Sequence, residues 1–271
     1  MKSPDWSGSS GDIWARRWRE TDRALGEVGA ALDEAILEAA PADPFRALDV
    51  GCGPGTTTFS LAARRADAEV VGCDLSQSLI SIAEQRAEGA PQLRFVAQDA
   101  EQAARENGPF DLIFSRHGVM FFDDPIRAFS SLRSATNSGG RLVFSCFREW
   151  GANPWAAEVA TAAAGRDVPP PGREPSGFAF ADPAYVAQIM TDAGWAGAEP
   201  QAVDFAYDAG SSAQALSFLA ELGPAARVIE QLDDDARDAA LERMRAVIER
   251  HDRGGRVIFP GAAWIWTATA G

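Results

Sequence analysis

Between residues 45 and 147 short apolar runs alternate with amphipathic stretches, and this alternation leaves few folds open to the chain. FRALDVG (45–51), EVVGCD (69–74), QLRFVAQD (92–99), FDLIFSRH (110–117) and SGGRLVFSCF (138–147) read as strands. TTTFSLAARR (56–65), SQSLISIAEQRAEG (76–89) and a segment from about Pro125 to Thr136 read as helices, the last with Asp123 or Asp124 near its cap. Strands that are apolar throughout and separated by helices imply a parallel sheet covered on both faces, and right-handed crossovers make it doubly wound.

The flanks have a different texture. Trp14, Trp18 and Leu25 recur at helical spacing, and 27–40 is rich in Ala, Leu and Glu, so the first forty residues are expected to be helical until PADP (41–44) stops them. After Trp150, the segment 151–182 contains DVPPPGREPSG and is too long for a simple connector; such insertions are often lids or binding loops. A helix over 183–193, a strand near 198–207, helices over 211–222 and 233–251 and a last strand over 257–269 complete the expectation. In 233–251, Ala236, Ala240, Met244, Val247 and His251 share one face.

A formal net charge of −14 opposes a nucleic-acid partner, because phosphate binding needs a basic face. Three cysteines, Cys52, Cys73 and Cys146, are odd in number and widely spaced, which suits neither a disulfide framework nor a zinc site, so no metal is expected. The chain has no apolar run of membrane-spanning length, and MKSPDWSGSSGDIW lacks the features of a signal peptide. The expectation is a soluble cytoplasmic protein without membrane insertion, homo-oligomeric or not.

LDVGCGPGTTT (48–58) carries three glycines in five positions directly after the first strand. A triphosphate loop needs Gly-Lys-Ser/Thr, but Gly55 is followed by Thr56 and no lysine appears. A dinucleotide loop has G-x-G-x-x-G; here the spacing is Gly51, Gly53, Gly55, and Thr56 stands where the third glycine would be. The acids nearby are more informative. Asp74 ends the second strand, where a carboxylate accepts from both hydroxyls of a ribose. Asp49, inside the first strand, would crowd a pyrophosphate but suits a ligand with an amine, and Asp99 ends the third strand, placed for the amine of an adenine. Ribose, adenine and a cationic amino-acid tail together describe S-adenosylmethionine.

In this order and spacing, ALDVGCGPG, VVGCDLS, FVAQDAE and FDLIFSRHGVMFF resemble successive motifs of the class I S-adenosylmethionine-dependent methyltransferases. SGGRLVF is similar to the family's fifth-strand motif, with Ser138 where a proline usually precedes the glycine pair. FFDDPIRAF, NPW and FAFADP look similar to the branch that includes the quinone-biosynthesis C-methyltransferases. The resemblance covers about 45–147 and implies a seven-stranded, mostly parallel sheet whose last strand is antiparallel. It implies helices at 1–44 that help cover the acceptor, a cofactor-binding core at 45–150, a helical or looped lid at 151–182, and completion of the sheet by 183–271 with a helical insertion at 211–251. For the cofactor it implies that Gly51, Gly53 and Gly55 pass under the methionine portion, with Asp49 near the ammonium and Ser115 close by. Asp74 would bind the ribose, Leu75 would pack on the adenine, Asp99 and Ala100 would meet its edge, and Cys52, Thr56 and Ser76 would flank the site.

Methyl transfer from a sulfonium needs alignment, exclusion of water and, for a weak acid, removal of a proton. His117 falls where such a proton would be taken, as base or substrate contact, or else packs as a loop histidine. Arg116 would bind a substrate carboxylate or pair with a nearby acid. His251, near a helix end, has no expected role in chemistry. Trp14, Trp18, Met120, Trp155, Phe178 and Trp264, with Phe180 and Trp266, either line an aromatic pocket for a small, partly apolar acceptor or pack the lid onto the sheet. The function expected is methyl transfer to such an acceptor. The alternatives are a relative that binds the cofactor without catalysis and a nicotinamide-dependent oxidoreductase.

Overall fold

A computed structural model describes residues 5–271. Its core is one sheet of seven strands: β1 (Phe45–Val50), β2 (Ala68–Asp74), β3 (Leu93–Ala97), β4 (Phe110–Arg116), β5 (Thr136–Phe147), β6 (Trp195–Gly210) and β7 (Val257–Ala270). They lie in the order β3-β2-β1-β4-β5-β7-β6. β1 to β5 pair in parallel, and β7 runs antiparallel between β5 and β6. The order reverses direction beside β1 and β4, and in open α/β sheets ligands bind at the carboxyl ends of the strands flanking such a point.

Successive residues of a strand point to opposite faces, and the central strands are apolar on both. On β4, Leu112 and Phe114 pack with Leu32 and Ile36 of α3 (Gly26–Ala39), whereas Ile113 between them joins the larger cluster. β7 divides in the same way at Ile265 and Trp266. Trp266 is 1% exposed and stacks on Phe144 with centroids 6.2 Å apart. Trp266→Ala is expected to cost about 3–5 kcal/mol, the usual range for truncating a buried aromatic. Urea unfolding measures it, and a loss below about 1 kcal/mol would mean that the sheet closes the hole.

The N-terminal residues form not one helix and a second stretch but three helices. α1 (Ser9–Arg16), α2 (Trp18–Ala24) and α3 are separated at Arg17 and Leu25, whose backbones leave helical geometry. Helices α4 (Thr56–Arg64), α5 (Gln77–Arg86), α7 (Pro125–Ser134), α9 (Pro183–Asp192), α10 (Ser212–Glu221) and α12 (Asp234–Arg250) lie where the sequence places them. Asp124 caps α7 and Asp233 caps α12. Three further helices were not apparent from the sequence: α6 (Ala100–Asn107), α8 (Pro154–Ala164) and α11 (Pro224–Ile229). α6 and α11 are only two turns or so, too short for a period to stand out. α8 had clear punctuation, a proline at its start and Gly165 in the left-handed conformation at its end. No helix among the described residues is long and apolar enough to cross a membrane.

Candidate functional site

The loop after β1 turns back under the ends of β2 and β4. Gly51, Gly53 and Gly55 all have positive φ, 66°, 54° and 81°. For Gly51 and Gly55 the absent side chain also matters. A Cβ on Gly51 would lie 3.1 Å from the Cα of Gly118, whereas a Cβ on Gly53 would meet nothing within 4 Å. Gly51 thus lets two backbones touch, and Gly53 leaves open space. Gly55 caps α4, and a Cβ there would collide with Phe59 and Phe95, so its need for glycine is internal packing.

Two carboxylates hold this loop. Asp74 Oδ2 accepts from the backbone N–H of Gly53 and Oδ1 from that of Ser76, both at 2.9 Å. Each oxygen keeps a lone pair for a ligand hydroxyl. Burial raises the pKa of Asp74, and the N–H groups of Ser76 and Gly53 work against that. Asp49 is 1% exposed; its Oδ2 accepts from Thr58 Oγ1 at 2.6 Å, while Oδ1 is buried without a partner. Burial pushes its pKa up to about 7, against the pull of the Thr58 hydrogen bond and the Arg116 charge. An acceptor-only oxygen with nothing to accept from is a place for a cation or a donor. Burial also raises the thiol pKa values of Cys52 and Cys73, which keeps both sulfurs unreactive.

At the end of β4, Ser115 Oγ donates to the Val50 carbonyl at 2.7 Å and accepts from the Gly118 N–H at 3.2 Å. It is fully buried and ties β4 to β1 instead of facing a ligand. Arg116 pairs with Asp22 of α2 at 2.5 Å. Asp22 also accepts from Thr56 Oγ1 at 2.6 Å, and Arg86 donates to the same Thr56 hydroxyl at 3.1 Å. Of the two readings of Arg116, the structure has the ion pair. His117 is buried, with φ 57°, the one non-glycine residue of positive φ among those described. Its Nδ1 lies 2.8 Å from Ser145 Oγ, and its Nε2 is buried without a partner. Burial, with the nearby Arg116 charge, lowers its pKa to about 3, so the imidazole is neutral.

These groups border a cavity of about 510 Å³, within the range of small-molecule sites. Of the residues that the sequence suggested for cofactor binding, it brings together Asp49, Gly51, Cys52, Gly53, Asp74, Leu75, Asp99 and Ala100. Leu75 is 48% exposed, an unusually open large apolar side chain for this protein. Asp99 caps α6, accepting from the Gln102 N–H at 2.9 Å. Gly55, Thr56, Ser76 and Ser115 lie outside the lining. Thr56 and Ser115 are engaged as described, and Ser76 caps α5 by accepting from the Leu79 N–H.

Arg116, His117, Trp14 and Trp18 line the same cavity, together with Trp6, Asp22, Phe121 and Phe122. Trp6 meets Trp14 edge to face at 5.7 Å and Phe121 at 4.8 Å. Met120, Trp155, Phe178 and Trp264 do not reach it. Met120 is buried; Trp155 stacks on Tyr207 at 4.5 Å and donates to Asn153; Phe178 stacks on Phe147 at 5.4 Å; Trp264 donates to the Ala181 carbonyl. Phe180 and Trp266 are core as well. No residue of 151–182 lines the cavity, and α8 packs against β7, α11 and α12. Trp6 and Asp22 were missed: Asp22 lies four residues after Trp18 on one helix, a signal that could have found it, whereas Trp6 sits in a turn before α1 and carries none.

A family model described as a methyltransferase domain matches residues 47–140. Over these residues, about a third of the chain, the sequence is similar to a methyltransferase domain. Demethylmenaquinone methyltransferase of Beutenbergia cavernae is 32% identical over 154 residues, 56% of this chain and 60% of that one. Malonyl-[acyl-carrier protein] O-methyltransferase 1 of Ilyobacter polytropus is 31% identical over 103 residues, 38% of each chain. The matched region thus spans less than two thirds of either relative's own length. Among solved structures, the YcgJ protein of Bacillus subtilis has a TM-score of 0.59 at 16% identity, covering 89% of this chain and 97% of that one. That likeness is one of fold.

The cavity fits the family's cofactor, S-adenosylmethionine. Seven acids and three arginines line it, a balance that suits a cationic ligand. Asp49 Oδ1 lacks a partner, Asp74 has lone pairs to spare, Leu75 offers an apolar surface and Gly53 leaves room.

Proposed function

We propose that the protein transfers the methyl group of S-adenosylmethionine to a small, partly apolar organic acceptor. The observation that carries this reading is that one cavity is bordered both by the glycine loop with its acids and by the Trp6, Trp14 and Phe121 wall. When bound, the cofactor supplies a methyl group on a sulfonium, already activated for in-line displacement. The residues of the chain then have to hold, align and keep dry. Asp74 accepts from the ribose hydroxyls, Leu75 and Ala100 border the adenine, and Asp99 takes its amine. Asp49 Oδ1 takes the ammonium. The tryptophan and phenylalanine wall excludes water and holds the acceptor's apolar part, which makes proximity the main contribution.

Charge at the site supports an acceptor that is not strongly anionic. Seven acids outnumber the three arginines on the lining, and two of those arginines are neutralised, Arg116 by Asp22 and Arg127 by Glu101, at 2.5 and 3.0 Å. A nicotinamide cofactor would bring a pyrophosphate against the buried Asp49, an unfavourable encounter of like charges. Calorimetry with S-adenosylmethionine, S-adenosylhomocysteine and NAD is expected to show binding of the first two; binding of NAD alone would overturn the reading. A metabolite panel incubated with methyl-labelled cofactor then separates a transferase from a protein that only binds it.

A further inference from the structure

His117 sits in a backbone conformation that few side chains adopt, and three contacts keep it there. Its backbone N–H donates to the Ser145 carbonyl at 3.2 Å, its Nδ1 is 2.8 Å from Ser145 Oγ, and its ring packs on Phe147 with centroids 4.3 Å apart. Ser145 is fully buried, and His117 Nδ1 is the one partner of its hydroxyl among the described residues. A count of hydrogens fixes the direction of that bond. If Nδ1 carried the proton and donated to Oγ, the hydroxyl hydrogen would be left in a dry interior with no acceptor, an arrangement that folded proteins avoid. If Oγ–H donates to Nδ1, both groups are satisfied and the ring proton lies on Nε2. Nε2 is buried, has no partner in the chain, and belongs to a residue that lines the cavity.

We infer that His117 serves the site as a hydrogen-bond donor and not as a base: Ser145 fixes the neutral Nε2–H form, and this N–H binds a carbonyl, enolate or phenolate oxygen of the methyl acceptor. The inference rests on the methyltransferase reading and narrows its substrate class to acceptors with such an oxygen beside the reacting atom. A neutral imidazole brings no charge of its own, so the contact is a hydrogen bond and not an ion pair. In the transfer, an electron pair of the acceptor forms the bond to the methyl carbon, and the carbon–sulfur bond breaks with its pair remaining on sulfur. His117 keeps its proton throughout, and a proton lost by the acceptor passes to water. Negative charge on that oxygen develops as the acceptor ionises ahead of the transfer, and donors aimed at such charge commonly contribute a hundredfold or more to a rate. Contacts of this kind often tighten only once the ligand is bound.

The test begins on the full chain without any acceptor. The two histidines are separable in nitrogen-15 spectra by means of His251→Gln. His117 is expected to show a pyridine-like Nδ1 and a protonated, pyrrole-like Nε2 at all values between about pH 6 and pH 8. A protonated Nδ1 with bare Nε2, or an imidazolium, would overturn the inference. Ser145→Ala is expected to mix the two tautomers, whereas Ser145→Thr, which keeps the hydroxyl, restores the single form; a single Nε2–H form in Ser145→Ala would remove Ser145 as the positioning residue. Once an acceptor is in hand, His117→Asn, which tolerates the left-handed backbone but removes Nε2, is expected to lower kcat about a hundredfold. The cofactor Kd should stay within about twofold, since a donor for the acceptor makes no cofactor contact, and His117→Gln should recover part of the rate. Full turnover by His117→Asn would refute the donor role. Absence of S-adenosylmethionine binding by the unaltered protein would instead refute the methyltransferase reading.

Discussion

Asp74→Ala is expected to weaken S-adenosylmethionine binding by about a hundredfold or more. A hydrogen bond to a charged group contributes about 1.5–3 kcal/mol, so losing two ribose hydroxyl contacts removes at least about 3 kcal/mol, a little over a hundredfold in Kd. The loop geometry adds to this. The same carboxylate accepts from the N–H groups of Gly53 and Ser76, so the alanine variant frees the glycine loop from the start of α5. Asp74→Asn should not rescue binding, because its amide nitrogen would face one of those N–H donors. Titration calorimetry measures the change, and circular dichroism of the free variant shows that the sheet is intact. An affinity within about twofold of the original would remove Asp74 from the cofactor site.

The parts of the site that could be read from the sequence are those fixed by local geometry. Asp49, Gly51, Gly53, Asp74, Leu75, Asp99 and Ala100 lie at or just after strand ends, and a parallel sheet brings its strand ends to one edge whatever else the chain does. Residues within two or three positions of the same strands could still be misjudged. Ser115, Thr56 and Ser76 have the right addresses, but their hydroxyls are taken up by Val50, Asp22 and a helix cap. Which hydroxyl is free depends on partners that spacing does not show. The tryptophans mark a second limit. Trp14 and Trp155 are equally apolar and both lie in flanking segments, yet one lines the cavity and the other stacks on Tyr207. The choice is made by how the N-terminal helices and α8 dock, the former through contacts such as Arg116 to Asp22 of α2, which are 94 residues apart in sequence. The missed α6 and α11 have the same cause: short helices gain their stability from packing more than from propensity.

Asp49→Asn is expected to make the free protein more stable while weakening its hold on the cofactor. The pKa of Asp49 is raised to about 7 by burial, against about 3.9 in an unfolded chain. A carboxyl with a raised folded pKa imposes no cost below about pH 4, where both states are protonated. Stability declines as pH rises from about 4 to 7, and above about 7 the full cost is present. Three units correspond to about 4 kcal/mol, so the asparagine variant should melt several degrees higher at about pH 8. Binding runs the other way. An ammonium beside Oδ1 favours the ionised carboxylate, so below about pH 7 the cofactor has to displace a proton, and affinity should fall by up to about tenfold per pH unit. Arg116, Asp74 and Asp33 also act on Asp49, and the pKa values of Asp74 and Asp33 are raised too. The variant therefore serves as the control: the part of the pH dependence that disappears in Asp49→Asn belongs to Asp49. Calorimetric affinities at about pH 6, 7 and 8 for both proteins decide the matter. Parallel curves for the two would mean that the buried carboxylate is structural, and a variant melting no higher than the parent at about pH 8 would mean that Thr58 and Arg116 already compensate its charge.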